Sequence, residues 1–445
     1  MRIAHGVGDA RSSVLRRAPL EAAELPAAMR EVIRRTFGAE LGVGEVVDRI
    51  QRDVREKGDA AVAWYNQKID GVHGEGARAL EVSAEETEAA YDRLDSGLVR
   101  ALREAADQIR HFHQRQLEHA SHGFQKDGVG QQVRPLVRVG MYVPGTRTVY
   151  PSTVLMIAVP ARVAGVRELV MATPALPDAS VSPLKLVAAH IAGVGRVFRA
   201  GGVQGIAALA YGTQSVPRVD KICGPGNVFV TEAKKRVYGE VGLDGVFGPS
   251  ETVVIADDSA DPELVAADLL AGAEHDELAT AILISTSEEL ASKALGELQS
   301  QMDGLERKDV ARASLETRGG IAVVEGLEQA VELANEFAPE HLSLHVARPG
   351  RLLDKVRNAG AVFVGAASVE SIGDFTAGPS HVMPTGGSAR FASPLGVQDF
   401  LKTTSVIALD SRALERLGPA AAAIARAEGF GGHAQAVERR LGRRR

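Results

Sequence analysis

A chain of 445 residues exceeds one ordinary hydrophobic core and calls for at least two domains. Its 45% hydrophobic and 24% charged residues are those of a globular protein, and a net charge of −6 offers no basic footprint for nucleic acid. The single cysteine, Cys223, excludes an internal disulfide, and no apolar run reaches membrane-spanning length, so a cytoplasmic, reducing location is expected.

Residues 1–35 read as an uneven, arginine-containing arm without a strong period. Val46, Val47, Ile50 and Val54 then recur at helical spacing until Gly58. Ser83 and Glu86 form an S-x-x-E capping box, which opens a long helical region towards His119. From residue 139 the rhythm changes. Short apolar runs at 140–143, 169–172, 197–200 and 219–223 alternate with helical stretches such as 184–191 and 204–211. A second series at 252–256, 281–285, 321–324 and 361–364 behaves alike. Strands alternating with helices predict parallel sheets covered by helices, hence an α/β protein of two Rossmann-like domains with helical extensions at both ends. The expected division places 36–141 and 250–395 in a first, discontinuous domain and 142–249 in a second. Residues 396–445 read as a charged helical arm suited to dimerisation, ending in a solvated Arg443-Arg444-Arg445 tail.

The segment Ala338-Pro339-Glu340-His341-Leu342 carries the chemistry. A helical pattern precedes it and an alternating strand pattern follows, so Glu340 and His341 are expected at a helix-to-strand junction on an exposed edge. Histidine titrates near neutrality and a neighbouring glutamate can activate water, which suits successive proton abstractions. A solvated Glu-His dipeptide would look the same in isolation. Gly224-Pro225-Gly226-Asn227 sits between a strand and a helix, where glycines let backbone approach a ligand and a helix N-terminus favours negative charge. Taken alone, that tetrapeptide is an ordinary turn.

The run from Asp220 to Lys234 (DKICGPGNVFVTEAK) resembles the signature of histidinol dehydrogenases. The resemblance continues through Gly248-Pro249-Ser250-Glu251, Ala273-Glu274-His275, the 338–342 motif and Gly378-Pro379-Ser380-His381-Val382-Met383-Pro384-Thr385, in order, over about 44–433. It implies oxidation of the amino alcohol L-histidinol through the aldehyde to L-histidine, with two NAD and one zinc at a site in a homodimer. Residue by residue, it implies His341 as the base and Glu340 as the group that activates water. It places His275, Asp374 and His433 at metal positions, and Ser250, His381 and Glu428 beside the substrate with His275, His341, Asp374 and His433. Tyr142, Gln204 and Asn227 fall at NAD-contacting positions. Each has a plainer reading: Tyr142 as strand packing, Gln204 as a helix-start residue, Asn227 as an N-cap. Cys223 reads as a small buried hydrophobe.

The sequence departs from the family pattern at Gly272, where a glutamine usually completes the metal shell, at Thr146, where glycine is usual, and at Ser380, where asparagine is usual. If 264–275 is helical, positions 272 and 275 share a face, so glycine is expected to weaken the metal site and Gly272→Gln to strengthen it. Two rivals stand beside this reading. One is a related zinc- and NAD-dependent dehydrogenase of another small alcohol, such as a sulfopropanediol. The other is a metabolite-binding paralogue without turnover. The segment Gly387-Ser388-Ala389-Arg390-Phe391-Ala392-Ser393-Pro394-Leu395 resembles the histidine-pathway members more, and retained Glu340, His341, Asp374 and His433 argue against a dead site.

Overall fold

In a computed structural model, residues 1–17, 25, 27–73, 79–120, 122–145 and 148–442 are described. The Arg443–Arg445 tail and the Thr146 substitution lie outside them. The chain begins as a strand, β1 (Arg2–His5), followed by the helix Gly6–Ser12. Ala4, Ala10 and Val14 are buried in a core shared with Val253 and Ile282, so the described part of the expected amino-terminal arm is built into a domain. The helix Val43–Lys57 buries the expected stripe of Val46, Val47, Ile50 and Val54, and stops at Gly58, whose φ of +59° favours glycine. The capping box forms: Glu86 N–H donates to Ser83 Oγ, and Ser83 N–H to the Glu86 carboxylate. It opens only the short helix Ala84–Tyr91. Asp95 then accepts from the N–H groups of Gly97 and Leu98 and starts a second helix, Ser96–Glu118.

Strands follow in order: β2 (Phe124–Lys126), β3 (Val129–Pro135), β4 (Arg138–Tyr142), β5 (Glu168–Thr173), β6 (Arg196–Arg199), β7 (Lys221–Cys223) and β8 (Gly242–Leu243). Then come β9 (Glu251–Ala256), β10 (Thr280–Ser285), β11 (Gly320–Val323), β12 (His341–His345), β13 (Ala361–Val364) and β14 (Leu401–Ile407). They form a parallel five-stranded sheet, β6-β5-β4-β7-β8, and a parallel six-stranded sheet, β1-β11-β10-β9-β12-β13. A small antiparallel sheet, β14-β3-β2, completes the set.

Parallel sheets must hide both faces, and each does so with a core on either side. On the five-stranded sheet, Ile109, Leu155, Ile157 and Leu186 fill one face, and Val47, Ile50, Ile206 and Val230 the other. On the six-stranded sheet the layers are built around Leu333 and Phe337 on one side and Leu269 and Ala294 on the other. The division of the chain therefore differs from the expected one. Helices between 43 and 118 cover the five-stranded sheet, and β4 lies at its centre, so most of 36–141 belongs with 142–249. The six-stranded unit takes β1 as well as the segment from β9 to β13.

The carboxy-terminal extension is also more than helical. β14 pairs with β3 along its full length before the helices Ser411–Ala427 and Gly431–Leu441 pack against each other as a hairpin. Ile424 and Phe430 on this hairpin are exposed, as is Ile407 at the end of β14. No described helix is long and apolar enough to cross a membrane.

Candidate active site

The helix Leu327–Phe337 ends at Ala338, which is fully buried with φ +50°, a left-handed conformation uncommon for alanine. Pro339 cannot continue the helix, and β12 starts at His341. Glu340 and His341 are thus at the expected junction. They are not on an exposed edge: they retain 6% and 2% of their accessibility. His341 pairs in register with Thr252 of β9, so the motif sits at the amino end of the strands, beneath the point where strand order reverses between β9 and β12.

His341 is ringed by acids. Its Nδ1 lies 3.8 Å from Glu340 Oε2 and 3.7 Å from Glu370 Oε1, and its Nε2 lies 3.3 Å from Asp374 Oδ1. None of these contacts has hydrogen-bond geometry, so both ring nitrogens and Asp374 Oδ1 are buried without a partner. Burial opposes the imidazolium, but Glu370, Glu340 and Asp374 outweigh it and raise the pKa to about 10. Burial pushes Glu340 up to about 7, against the pull of His341 and of the Glu251 N–H that donates to its Oε2 at 3.1 Å. Glu370 is likewise pushed to about 7 by burial, while Thr252 donates its hydroxyl to Oε2 at 2.9 Å.

His275 Nε2 is 3.9 Å from Asp374 Oδ2 and keeps 40% of its side chain open to solvent, yet desolvation still lowers its pKa. One donor atom each from His275, Glu370 and Asp374 lies within 4.8 Å of the others. Imidazole and carboxylate donors, with an orphaned carboxylate oxygen in a pocket rich in buried acids, fit a divalent cation. Of the residues expected to hold a metal, the fold brings His275 and Asp374 together. His433 is exposed on the carboxy-terminal hairpin, its ring tilted against that of Phe430, and is not among the gathered donors. Glu428 is exposed at the end of the preceding helix.

His381 borders the cluster. Its Nδ1 sits 2.8 Å from the Asp374 carbonyl and must donate to it, so Nε2 accepts from Thr153 Oγ1 at 3.2 Å. Burial lowers its pKa and keeps it neutral. Ser380 donates to Met156 O and accepts from the Val382 N–H, so it closes this loop in place of asparagine. Ser250 immediately precedes β9, next to the Glu251 N–H that holds Glu340.

The expected NAD residues gather elsewhere, at the carboxyl ends of the five-stranded sheet. Strand order there reverses between β4 and β7, which opens a crevice of the kind that binds ligands in such sheets. Tyr142 ends β4 and accepts the Gly202 N–H through its hydroxyl at 2.9 Å. Gln204 donates to Asn66 Oδ1 and Asp70 Oδ2, and Asn227 caps the helix Val228–Val237. Their plainer roles are all real. The glycine turn is locked from below: Lys234 Nζ donates to Gly224 O at 2.8 Å and Asp244 Oδ1 at 2.6 Å, and Asp244 Oδ2 accepts the Gly224 N–H. A Cβ on Gly224 would meet Tyr142 O at 2.1 Å, so only glycine fits. Cys223, fully buried, has its thiol pKa raised by burial and acts as core.

Sequence reading missed Glu370, Thr252 and Glu251. The signal for Glu370 was its spacing four residues before Asp374, which puts both carboxylates on one face of the short helix Glu370–Phe375.

The family model for histidinol dehydrogenase matches residues 34–441. The chain is 48% identical over 417 residues to the histidinol dehydrogenase of Syntrophotalea carbinolica, covering 93% of this chain and 96% of the relative. It is 50% identical over 416 residues to that of Moorella thermoacetica, covering 92% and 98%. The crystal structure of histidinol dehydrogenase from Elizabethkingia anophelis has a TM-score of 0.88 at 31% identity, covering 99% of this chain and 98% of that one. The fold and these relationships define an NAD-dependent oxidoreductase. The chain belongs to the histidinol dehydrogenase family, whose reaction is the terminal oxidation of histidine biosynthesis, and neither the sulfopropanediol enzyme nor the inactive paralogue is favoured.

Proposed function

We propose that the amino edge of the six-stranded sheet oxidises L-histidinol through L-histidinal to L-histidine, with His341 as base and Glu340 activating water. The observation that carries this is the pair itself: an imidazole with both nitrogens unpartnered, buried 3.8 Å from a carboxyl poised near neutrality. With zinc offsetting part of the carboxylate charge that raises its pKa, neutral His341 would take the substrate hydroxyl proton, and Glu340 and Glu370 would stabilise the imidazolium that results. Glu340, aimed by the Glu251 N–H, removes a proton from water as it adds to the aldehyde carbonyl. Once its first proton has passed to solvent, His341 takes the hydroxyl proton of the hydrate. Burial keeps other water from competing, and neutral His381 supports the Asp374 backbone from behind.

His275 and Asp374 would hold a zinc ion, with His433 supplied by a partner subunit. Zinc would hold the amino alcohol's donors and offset the carboxylate charge around His341. NAD at the crevice lined by Tyr142, Gln204 and Asn227 would accept one hydride in each oxidation. Ser250 and the partner subunit's Glu428 would contact the substrate. Support for a shared, dimeric site comes from the hairpin, which leaves His433, Glu428, Ile424 and Phe430 exposed and folds mainly on itself. A biosynthetic role with one buried thiol suits the cytoplasm.

The test is stoichiometry. Purified protein given limiting L-histidinol should form two NADH per substrate and L-histidine as product, with little turnover of sulfonated diols. One NADH per substrate, with aldehyde accumulating, would overturn the water-activating role of Glu340 and the four-electron reaction.

A further inference from the structure

Building on the zinc reading above, we propose that Glu370 is an inner-shell zinc ligand of this chain, supplying with His275 and Asp374 the donor that Gly272 cannot provide. Ligand atoms held about 2.1 Å from zinc lie within roughly 4 Å of one another, so the 4.8 Å envelope of the His275, Glu370 and Asp374 donors closes with small side-chain rotations. Glu370 and Asp374 project from the same face of one helical turn, and both are at least nine-tenths buried. Asp374 Oδ1 has no hydrogen-bond partner, a costly state for a buried carboxylate oxygen unless a cation answers it. On Glu370, Oε2 is anchored by the Thr252 hydroxyl at 2.9 Å, while Oε1 lies 3.7 Å from His341 Nδ1, beyond hydrogen-bond reach. One oxygen is fixed and the other is left free to coordinate.

Gly272 ties the two changes together. A Cβ built there would meet Thr252 Oγ1 at 2.3 Å and Thr252 Cβ at 2.8 Å. Thr252 is a fully buried residue of β9 and has nowhere to retreat. The space that the stem of a glutamine would need is filled by the threonine whose hydroxyl orients Glu370. The expectation that Gly272→Gln would rebuild the metal shell is therefore corrected: the longer side chain is blocked at its first carbon.

The test uses full-length protein stripped by chelator and titrated with zinc against a chromophoric competitor, then loaded with cobalt(II) for its visible spectrum. Glu370→Gln should weaken zinc binding at least about 10–100-fold and alter the cobalt spectrum, as Asp374→Asn should. Glu340→Gln removes the same charge from the same pocket but lies outside the donor set, so it should leave both readouts nearly unchanged. Glu370→Asp, which keeps the carboxylate on a shorter stem, should bind zinc with intermediate affinity and serves if Glu370→Gln fails to fold. Tight zinc in the natural protein, weakened by Asp374→Asn but not by either Glu370 variant, would overturn the inference and leave the zinc reading standing. Absence of zinc binding by the natural protein would overturn both.

Discussion

The two parallel sheets gather their candidate functional residues at opposite ends. In the five-stranded sheet the polar residues lie at the carboxyl ends of the strands, around the reversal between β4 and β7, and all are paired within the protein: Tyr142 to Gly202, Gln204 to Asn66 and Asp70, Asn227 to its own helix. In the six-stranded sheet the carboxyl ends at the equivalent reversal are closed, with Asp257 accepting the Ala347 N–H and donating its own N–H to His345 O. The proposed chemistry lies instead at the amino ends, where His341 and Asp374 keep buried atoms without partners. A satisfied crevice is rigid and offers a ligand shape, backbone and a helix terminus. An unsatisfied pocket holds free energy in reserve for atoms that arrive later, whether substrate, water or cation.

The largest expected effect tests that contrast directly. His341→Asn should lower the rate of both oxidations by about 10²–10⁴-fold. Glu340→Gln should depress histidinal oxidation more than histidinol oxidation in single-turnover assays. Equal losses in both steps would reject the division of labour between the two side chains.

Next comes the question of whose pocket it is. Glu340→Gln and His433→Ala proteins should each be nearly inactive, yet unfolding and refolding them together should restore activity through mixed dimers with one intact site. Mixed dimers without activity would return His433 to its own chain or remove it from the site.

In the satisfied crevice the damage should appear as stability. Lys234→Met strands Asp244 as a buried, unpaired charge and should cost about 3–5 kcal/mol in urea unfolding, with weaker NAD binding from the loosened Gly224 turn. At the boundary between fold and site, Gly272→Ala should lose about 1–3 kcal/mol by overpacking Thr252. An exposed helix would instead gain roughly 1 kcal/mol from that change. Adding Thr252→Ala should recover most of the loss.

The smallest effect concerns pH. Burial raises Asp70 to about 7, partly offset by the Gln204 amide. Its folded-state pKa lies above its ordinary value of 3.8, so ionising it costs stability progressively as pH rises from the usual carboxylate range through about 7. Asp70→Asn should therefore be more stable, relative to the natural protein, at pH 8 than at pH 5, as read by thermal melts. A constant difference across that range would show that Asp70 is already solvated or ionised.

Local pattern carried much of this fold, because hydrophobic period and turn chemistry act over a few residues. The strands of both parallel sheets that the apolar runs marked are present within a residue or two, and the helix face of Val46, Val47, Ile50 and Val54 is buried as its spacing requires. The Glu340–His341 junction was legible for the same reason: a helix must end and a strand begin there. What the pattern could not carry was assignment over distance. Nothing local says that β1 joins a sheet with β11, some 315 residues later, or that the helix Val43–Lys57 covers the five-stranded sheet and not the six-stranded one. Strands β2 and β14 escaped notice because their largely exposed residues lack a buried apolar run and depend on pairing with β3. The same limit governed the site. Residue types at 340 and 341 suggested acid–base chemistry and the family resemblance placed 275 and 374 at a metal, but the burial that raises Glu340 and the ring of carboxylates that raises His341 arise only when β9, β12 and the helix Glu370–Phe375 close around one another. Glu370 became a candidate ligand, and glycine at 272 a steric necessity, only in that packing, because both depend on where the Thr252 side chain comes to rest.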